Sequence, residues 1–383
     1  MLLAQAVRRI LGTLAAMAPQ LAVFALAIAA FVFFSQRFGY FGDAISLPPT
    51  SAANLVPGET RRVELFTLLP KDAIRSIDDP NFVAASEASL SPVTPVIGVR
   101  IGDDARAYPL AVLSSHEIVN DFVGGRAIAV TYCPLCLTGI VFDRHVDGKV
   151  VEFGVSGKLL MNVLVMYDRD SDSLWSQILG ESIDGARKGT KLTVVDSLQT
   201  TWATWRALNP NTLVLKSSIR GDSYASYYRN NSSGVHGGFV DDDRLPAKSV
   251  VIGVVIGGTA RAYPLASSLE QSVINDNVAG RPLLTVFAPD GVTGLIYDRH
   301  VNGRLLTFDE VGTDAPLEMT DRETGSRWNR LTGEALSGPL QGAVLNRIPA
   351  TNSFWFGWRD FYPNTSVYGL DSGDGAEASG TTS

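Results

Sequence analysis

Ala105-Arg106-Ala107-Tyr108-Pro109-Leu110 returns as Ala260-Arg261-Ala262-Tyr263-Pro264-Leu265, an offset of 155 residues from Arg106 to Arg261. Working outward, Ile97-Gly98-Val99 returns as Ile252-Gly253-Val254, and Asn120-Asp121 as Asn275-Asp276. Thr138-Gly139 returns as Thr293-Gly294, and Asp143-Arg144-His145 as Asp298-Arg299-His300. Further on the offset falls to 153: Asp168-Arg169 matches Asp321-Arg322, Trp175 matches Trp328, and Trp205 matches Trp358. Pro210-Asn211-Thr212 likewise matches Pro363-Asn364-Thr365. Identities held in register over so long a span are read as an internal repeat. The expectation is two similar tandem domains, 80–220 and 235–370, joined by a linker at 221–234.

Within each copy the pattern is mostly strand. Residues 96–101 are β-branched and alternating, with a polar turn at Gly102-Asp103-Asp104. Residues 127–132 form a short apolar run. Segments 138–142 and 149–153 flank Asp147-Gly148, a favoured two-residue hairpin turn, and the second copy has Asn302-Gly303 there. Residues 110–120 and 201–208 read as helices. The expected fold class is a β-rich α+β domain, occurring twice as a pseudo-symmetric pair after an N-terminal transmembrane helix. Residues 217–233, rich in Ser, Tyr, Asn and Gly, read as a long connecting loop.

Composition narrows the function classes. The chain has 383 residues, 45% of them hydrophobic, enough for two ordinary cores. A formal net charge of -7 excludes the basic face of a nucleic-acid binder. Residues 10–34 are uncharged and largely apolar, with Arg8 and Arg9 before them and Arg37 after. As a helix they would reach ~37 Å, enough to cross a hydrocarbon core of about 30 Å. The reading is an uncleaved single-pass anchor, with a cleaved signal at Ala25-Leu26-Ala27 as its rival. The arginine balance puts the N-terminus in the cytoplasm and the body outside it, at the cell membrane. Residues 1–41 are then the anchor, 42–79 a proline-bearing spacer, and 371–383 a polar disordered tail. The partners expected are the membrane, through that helix, and an envelope protein.

The chain has two cysteines, together in Thr131-Tyr132-Cys133-Pro134-Leu135-Cys136-Leu137-Thr138-Gly139. With His116-Glu117-Ile118-Val119-Asn120-Asp121, Met166-Tyr167-Asp168-Arg169 and Ser173-Leu174-Trp175-Ser176-Gln177, this string resembles the domain-of-unknown-function 3179 family. The resemblance covers most of residues 80–370 and implies membership; it names no activity.

The two copies serve as an internal control. His145 and His300 are both kept and read as turn-network residues, and Met166 and Met319 as core. The Asp168/Arg169 and Asp321/Arg322 pairs read as structural ion pairs, and Asn120-Asp121 as a turn staple. In the second copy Cys133 becomes Ala288, Cys136 becomes Gly291, His116 becomes Gln271 and Glu117 becomes Ser272; Ser156 has no clear counterpart. The joint loss suggests that His116 and the cysteines lie close in space.

Three chemistries fit the pair. A structural disulfide would close a minimal loop, contributing roughly 2 kcal/mol against about 3 for a 15-residue loop. A redox dithiol would cycle through an internal disulfide, though no thioredoxin-like βαβ unit surrounds it. A metal centre would use Cys133, Cys136 and His116, a three-ligand set suited to zinc with an open position or to copper. The metal centre leads, with Glu117 orienting the imidazole or relaying a proton and Ser156 in support. A third class is a non-catalytic envelope binding module built on Trp202, Trp205, Trp355 and Trp358, for which core packing is the simpler reading. No phosphate-cradling glycine loop, hydrolase elbow or paired-histidine zinc helix is present.

Overall fold

The computed structural model describes residues 43–46, 62–219, 221–312 and 314–371. The expected anchor, residues 42 and 47–61 of the 42–79 spacer, and the tail beyond 371 lie outside them. Among the described residues no helix is long and apolar enough to cross a membrane.

The alternating 96–101 run lies in the strand Pro95–Ile101. It turns at Gly102 (φ 60°) and pairs back antiparallel on Asp104–Pro109, from Val96 opposite Pro109 to Ile101 opposite Asp104. Leu198–Thr201 flanks this hairpin on one side, and Leu213–Leu215 and then Phe82–Ala84 on the other. A second sheet runs Ile118–Val123, Arg126–Cys133, Thr138–Asp143 and Val194–Val195. A third includes Arg62–Thr67, Phe153–Leu160, Val163–Asp168, Leu174–Ser176 and Glu181–Asp184 in that order. In the later half, Thr351–Phe354, Val250–Ile256, Thr259–Pro264 and Ser366–Val367 make one sheet, and Val273–Val278, Arg281–Phe287, Gly294–Asp298 and Arg347–Ile348 another. The protein is β-rich with a few short helices.

Glycine at 98 and 253 is a packing requirement. A Cβ on Gly98 would come within 2.2 Å of the Trp205 indole, and one on Gly253 within 2.3 Å of Trp358. Each ring therefore lies flat on its strand. Its Nε1–H donates to a threonine hydroxyl seven residues on, Trp205 to Thr212 and Trp358 to Thr365, both at 2.9 Å. Trp202, Trp205, Trp355 and Trp358 are all buried, so they present no binding surface.

The halves do not keep separate cores. One apolar cluster joins Cys133, Cys136, Phe153 and Met166 to Val251, Ala260, Phe354 and Trp358. Another joins Trp202 and Trp205 to Val286, Ala288, Leu295 and Met319.

Three local expectations change. The 110–120 helix stops at His116, because Ile118 and Val119 are β-branched and pair with Thr131 and Val130 in the sheet. The 201–208 helix starts at Trp202, with Thr201 as the cap whose hydroxyl accepts from Thr204 N. The 217–233 loop contains a helical turn, Ala225–Tyr228. The hairpin turn at Asp147-Gly148 stands with both residues at positive φ (52° and 76°), as does Asn302-Gly303 (51° and 77°).

The adjacent Asp168 and Arg169 do not pair with each other: Asp168 ends the Val163–Asp168 strand and Arg169 begins the turn that follows. Asp168 accepts from the Arg187 guanidinium and from Trp175 Nε1 (2.8 Å), while Arg169 reaches Asp78 at 2.7 Å. Asp321 accepts from Trp328 Nε1 at 2.8 Å, and Arg322 pairs with Asp309 at 2.7 Å. Asn120 staples two strands, donating to Phe153 O at 2.8 Å and accepting Phe153 N at 3.0 Å.

Replacing Gly98 by Ala drives a methyl into an indole that has nowhere to go. Overpacking of this kind costs about 1–3 kcal/mol. The Gly98→Ala protein should show a clearly lower urea midpoint than wild type, and an unchanged midpoint would refute the assigned ring seat.

Candidate dithiol site

Cys133 is the last residue of the Arg126–Cys133 strand and pairs with Thr138, the first of the next, so residues 134–137 form the connection. Leu137 at φ 58° turns the chain back. Both cysteines are free and buried, at 1% and 0% exposure. The Cys136 S–H points at Cys133 O (3.8 Å) and the Cys133 S–H at Asn162 O (3.9 Å). Burial pushes the Cys133 thiol well above its usual range, and the neighbouring Cys136 adds to this. At neutral pH the Cys133 thiol is un-ionised.

The later half holds the connection from one side. Phe354 N–H donates to Cys136 O at 2.8 Å, and the Thr138 hydroxyl donates to Ser353 Oγ at 3.1 Å. Gly357 in the Trp355–Phe361 helix leaves room for Cys136, since a Cβ there would stand 2.7 Å from the cysteine Cβ. The linker covers another side. Tyr227 OH donates to Leu135 O at 2.8 Å, and the Tyr228 and Tyr132 hydroxyls meet at 3.0 Å. Asn162 ties down the segment just after the linker, donating to Gly237 O (2.7 Å) and accepting from Val235 N and His236 N (3.0 and 3.1 Å). His236 in turn stacks on Phe66 with ring centroids 3.8 Å apart. Burial raises the phenols of Tyr132, Tyr224, Tyr227 and Tyr228, so all four are neutral.

Glu117 reaches the site from the end of the Leu110–His116 helix. Its N–H closes the helix on Leu113 O at 2.7 Å, and its C=O accepts Tyr132 N–H at 2.8 Å, one residue before Cys133. To do both it adopts φ 57°, ψ −31°, where glycine is the usual residue. Its carboxyl is buried, and first this burial and then Cys133 push its pKa up to about 8.

The other sequence candidates lie elsewhere. His116 is half-buried with Nδ1 2.8 Å from Arg75 O. Among the described residues no group of three or more His, Cys, Asp or Glu side chains is placed to hold a metal ion. The expected Cys133–Cys136–His116 centre therefore has no counterpart there: the helix ends at His116 and its ring turns to a backbone carbonyl. Ser156 sits at a β-bulge, donating to Val165 O (2.5 Å) and accepting Lys158 N (3.1 Å), which makes it a strand staple. His145 and His300 bond Asp143 and Asp298 beside their hairpins, at 2.8 and 3.0 Å.

Sequence reasoning missed Asn162 and the tyrosine cover. The i, i+3, i+4 spacing of Tyr224, Tyr227 and Tyr228 was a usable sign of one helical face. Nothing local marked Asn162.

A protein-family model described as "Protein of unknown function (DUF3179)" matches residues 71–373. The chain belongs to this family. The matched range takes in Glu117, both cysteines, the tyrosine cover and the whole later half. Neither the curated proteins nor the solved structures gave a significant match.

The buried Glu117 makes stability depend on pH. The folded chain keeps its proton up to about pH 8, whereas an unfolded glutamate, at its ordinary 4.5, has lost it well below that. Folding therefore takes up a proton in this window, and stability falls as pH rises through it, by on the order of 4–5 kcal/mol in all. Glu117→Gln removes the dependence. Its urea midpoint should pull ahead of wild type progressively from pH 5 to pH 8, and parallel midpoints across that range would rule out a buried, proton-holding carboxyl.

Proposed function

We propose that this protein is a thiol–disulfide redox protein in which Cys133 and Cys136 alternate between dithiol and disulfide. We further infer a membrane-anchored, extracytoplasmic body that arose by duplication, with the second copy a degenerate partner. The observation that carries the redox reading is the pair itself: both cysteines of the chain, free, sealed from water and bracketing one tight strand connection. A purely structural bridge is disfavoured on energetic grounds. The connection is already pinned by Phe354 N–H, Ser353, Thr138 and Tyr227, so the small loop-closure term of a short bridge adds little. A metal centre would need a third donor beside the two sulfurs, and the described residues offer no such group.

The burial sets how such a site would work. A neutral thiol is a poor nucleophile, and exchange requires a thiolate with access to the substrate sulfur. Reaction with a disulfide-bearing partner then requires the Tyr224, Tyr227 and Tyr228 cover to part. Loss of the Tyr227 hydrogen bond to Leu135 O should accordingly raise accessibility.

Equilibration of the purified body with mixtures of reduced and oxidised glutathione tests the reading. The expected result is a reversible 133–136 disulfide seen by mass spectrometry, and a mixed disulfide that persists in Cys136→Ser. A dithiol that stays reduced in every mixture would overturn it. So would tight retention of Cu(I) or Zn²⁺ by wild type that is lost in Cys133→Ser/Cys136→Ser.

A further inference from the structure

The tyrosine cover is a strap with little of its own to hold it in place. None of residues 221–234 is buried, and the helical turn Ala225–Tyr228 is only four residues long. A single turn does not sustain itself in water, and segments with few buried contacts open at low cost. The strap is therefore held by what fixes its ends. Downstream, Gly234 runs so close to Asn162 that a Cβ there would meet Asn162 Oδ1 at 2.2 Å, and Asn162 bonds residues 235–237. Asn162 is 1% exposed and its C=O faces the Cys133 S–H at 3.9 Å, so this end is anchored beside the sulfur.

Upstream, the fixing is Lys248. Its ammonium lies over the Tyr227 ring, 3.3 Å from the centroid, and donates to Tyr227 O and to Asn230 Oδ1, the latter at 2.7 Å. Asn230 Oδ1 also accepts Ser232 N–H at 3.0 Å, so one cation gathers the end of the helical turn and the residues after it. From the same turn the Tyr227 hydroxyl reaches Leu135 O, between the two cysteines. Lys248 is seated on the later half, where Trp355 N–H donates to Ser249 O at 2.8 Å and Phe356 N–H to Ala247 O at 2.9 Å. Those bonds begin the Trp355–Phe361 helix, whose Gly357 leaves room for Cys136.

The earlier half has the same hook without the cation. There Trp202 N–H donates to Thr94 O at 2.8 Å and Ala203 N–H to Pro92 O at 2.9 Å. Between those two acceptors stands Val93, 155 residues before Lys248 and 74% exposed. Seating a tryptophan-bearing helix on this stretch thus needs no ammonium, and the bonds Lys248 makes with its side chain all go to the strap.

We propose that Lys248 is the latch of a gate over the two cysteines. The strap opens by losing the Lys248 and Leu135 bonds at Tyr227 while its Gly234 end stays on Asn162, and the sulfurs meet an outside reagent only in that open state. The partner admitted in this way carries a disulfide, a point that rests on the dithiol reading above. Control of access then lies in the later half, which both floors the cysteine connection and grips its cover.

The test is the rate at which N-ethylmaleimide alkylates each cysteine of the reduced full chain, read by mass spectrometry. Lys248→Val, which copies the side chain at the matching place in the earlier half, should keep the wild-type urea midpoint. It should raise alkylation about 10-fold, the low end for losing a charge-assisted hydrogen bond. Trypsin should also cut after Arg229, exposed on the strap, faster by a similar factor, with cuts elsewhere unchanged. Lys248→Arg, which keeps a cation at the site, should restore most of the protection. Wild-type alkylation and cleavage rates in Lys248→Val overturn the latch and leave the dithiol reading standing. Faster alkylation accompanied by an equal rise in every tryptic cut also overturns it, because the whole fold has then loosened. Faster alkylation and a selective cut at Arg229, in a chain whose cysteines no glutathione mixture oxidises, uphold the latch and overturn the redox reading.

Discussion

Two buried hydroxyl contacts brace the molecule across its halves. The Thr138 hydroxyl meets Ser353 Oγ at 3.1 Å, and Thr200 Oγ1 meets Thr293 Oγ1 at 2.6 Å. Each ties the strand connection of one half to the strand leading into the other half's tryptophan-bearing helix. Polar groups this deep must be paired, so the contacts allow few relative placements of the two halves. The mixed apolar clusters follow from that brace, and so does the floor of the cysteine site: Cys136 lies against Gly357 because Ser353 and Phe354 hold its carbonyl.

The same connection carries different chemistry in the two halves. In the later one Asp290 gathers the hydroxyls of Thr204 and Thr293 at 2.8 and 2.6 Å, together with the N–H groups of Val292 and Thr293. Burial alone would raise that carboxyl, but these hydrogen bonds outweigh it and hold the group below its usual range. It is an ionised, fully satisfied brace. The earlier connection has Leu135 in that place and is held by neutral contacts, with two buried sulfurs at its ends. One half spends its buried polar capacity on pinning a loop; the other leaves reactive groups in a low-dielectric space, where proton affinity is easily shifted.

Much of the scaffold was legible. β-branched alternation marked Pro95–Ile101, and Asp147-Gly148 and Asn302-Gly303 announced two hairpins, because those turns need residues that tolerate positive φ. The helix starting at Leu110 was read too long. The signal for its end is the β-branched pair Ile118-Val119, whose sheet partners Thr131 and Val130 are distant enough in sequence to be invisible in a local window. The ion pairs of Asp168 and Arg169 are made with Arg187 and Asp78, partners far along the chain that no local window shows.

The sequence by itself grouped the two cysteines with His116, because the later half drops all three while keeping the surrounding residue pattern. It also determined the strand periodicity and the turn sites, which depend on near neighbours. Only the tertiary structure decided that the His116 ring turns to Arg75 O, and that linker tyrosines and Asn162 close over the sulfurs. Those outcomes depend on where a helix stops and on hydrogen bonds between residues far apart in the chain. Side-chain direction at a helix end changes by a large angle with one residue, so composition and spacing bring a histidine near but cannot aim it.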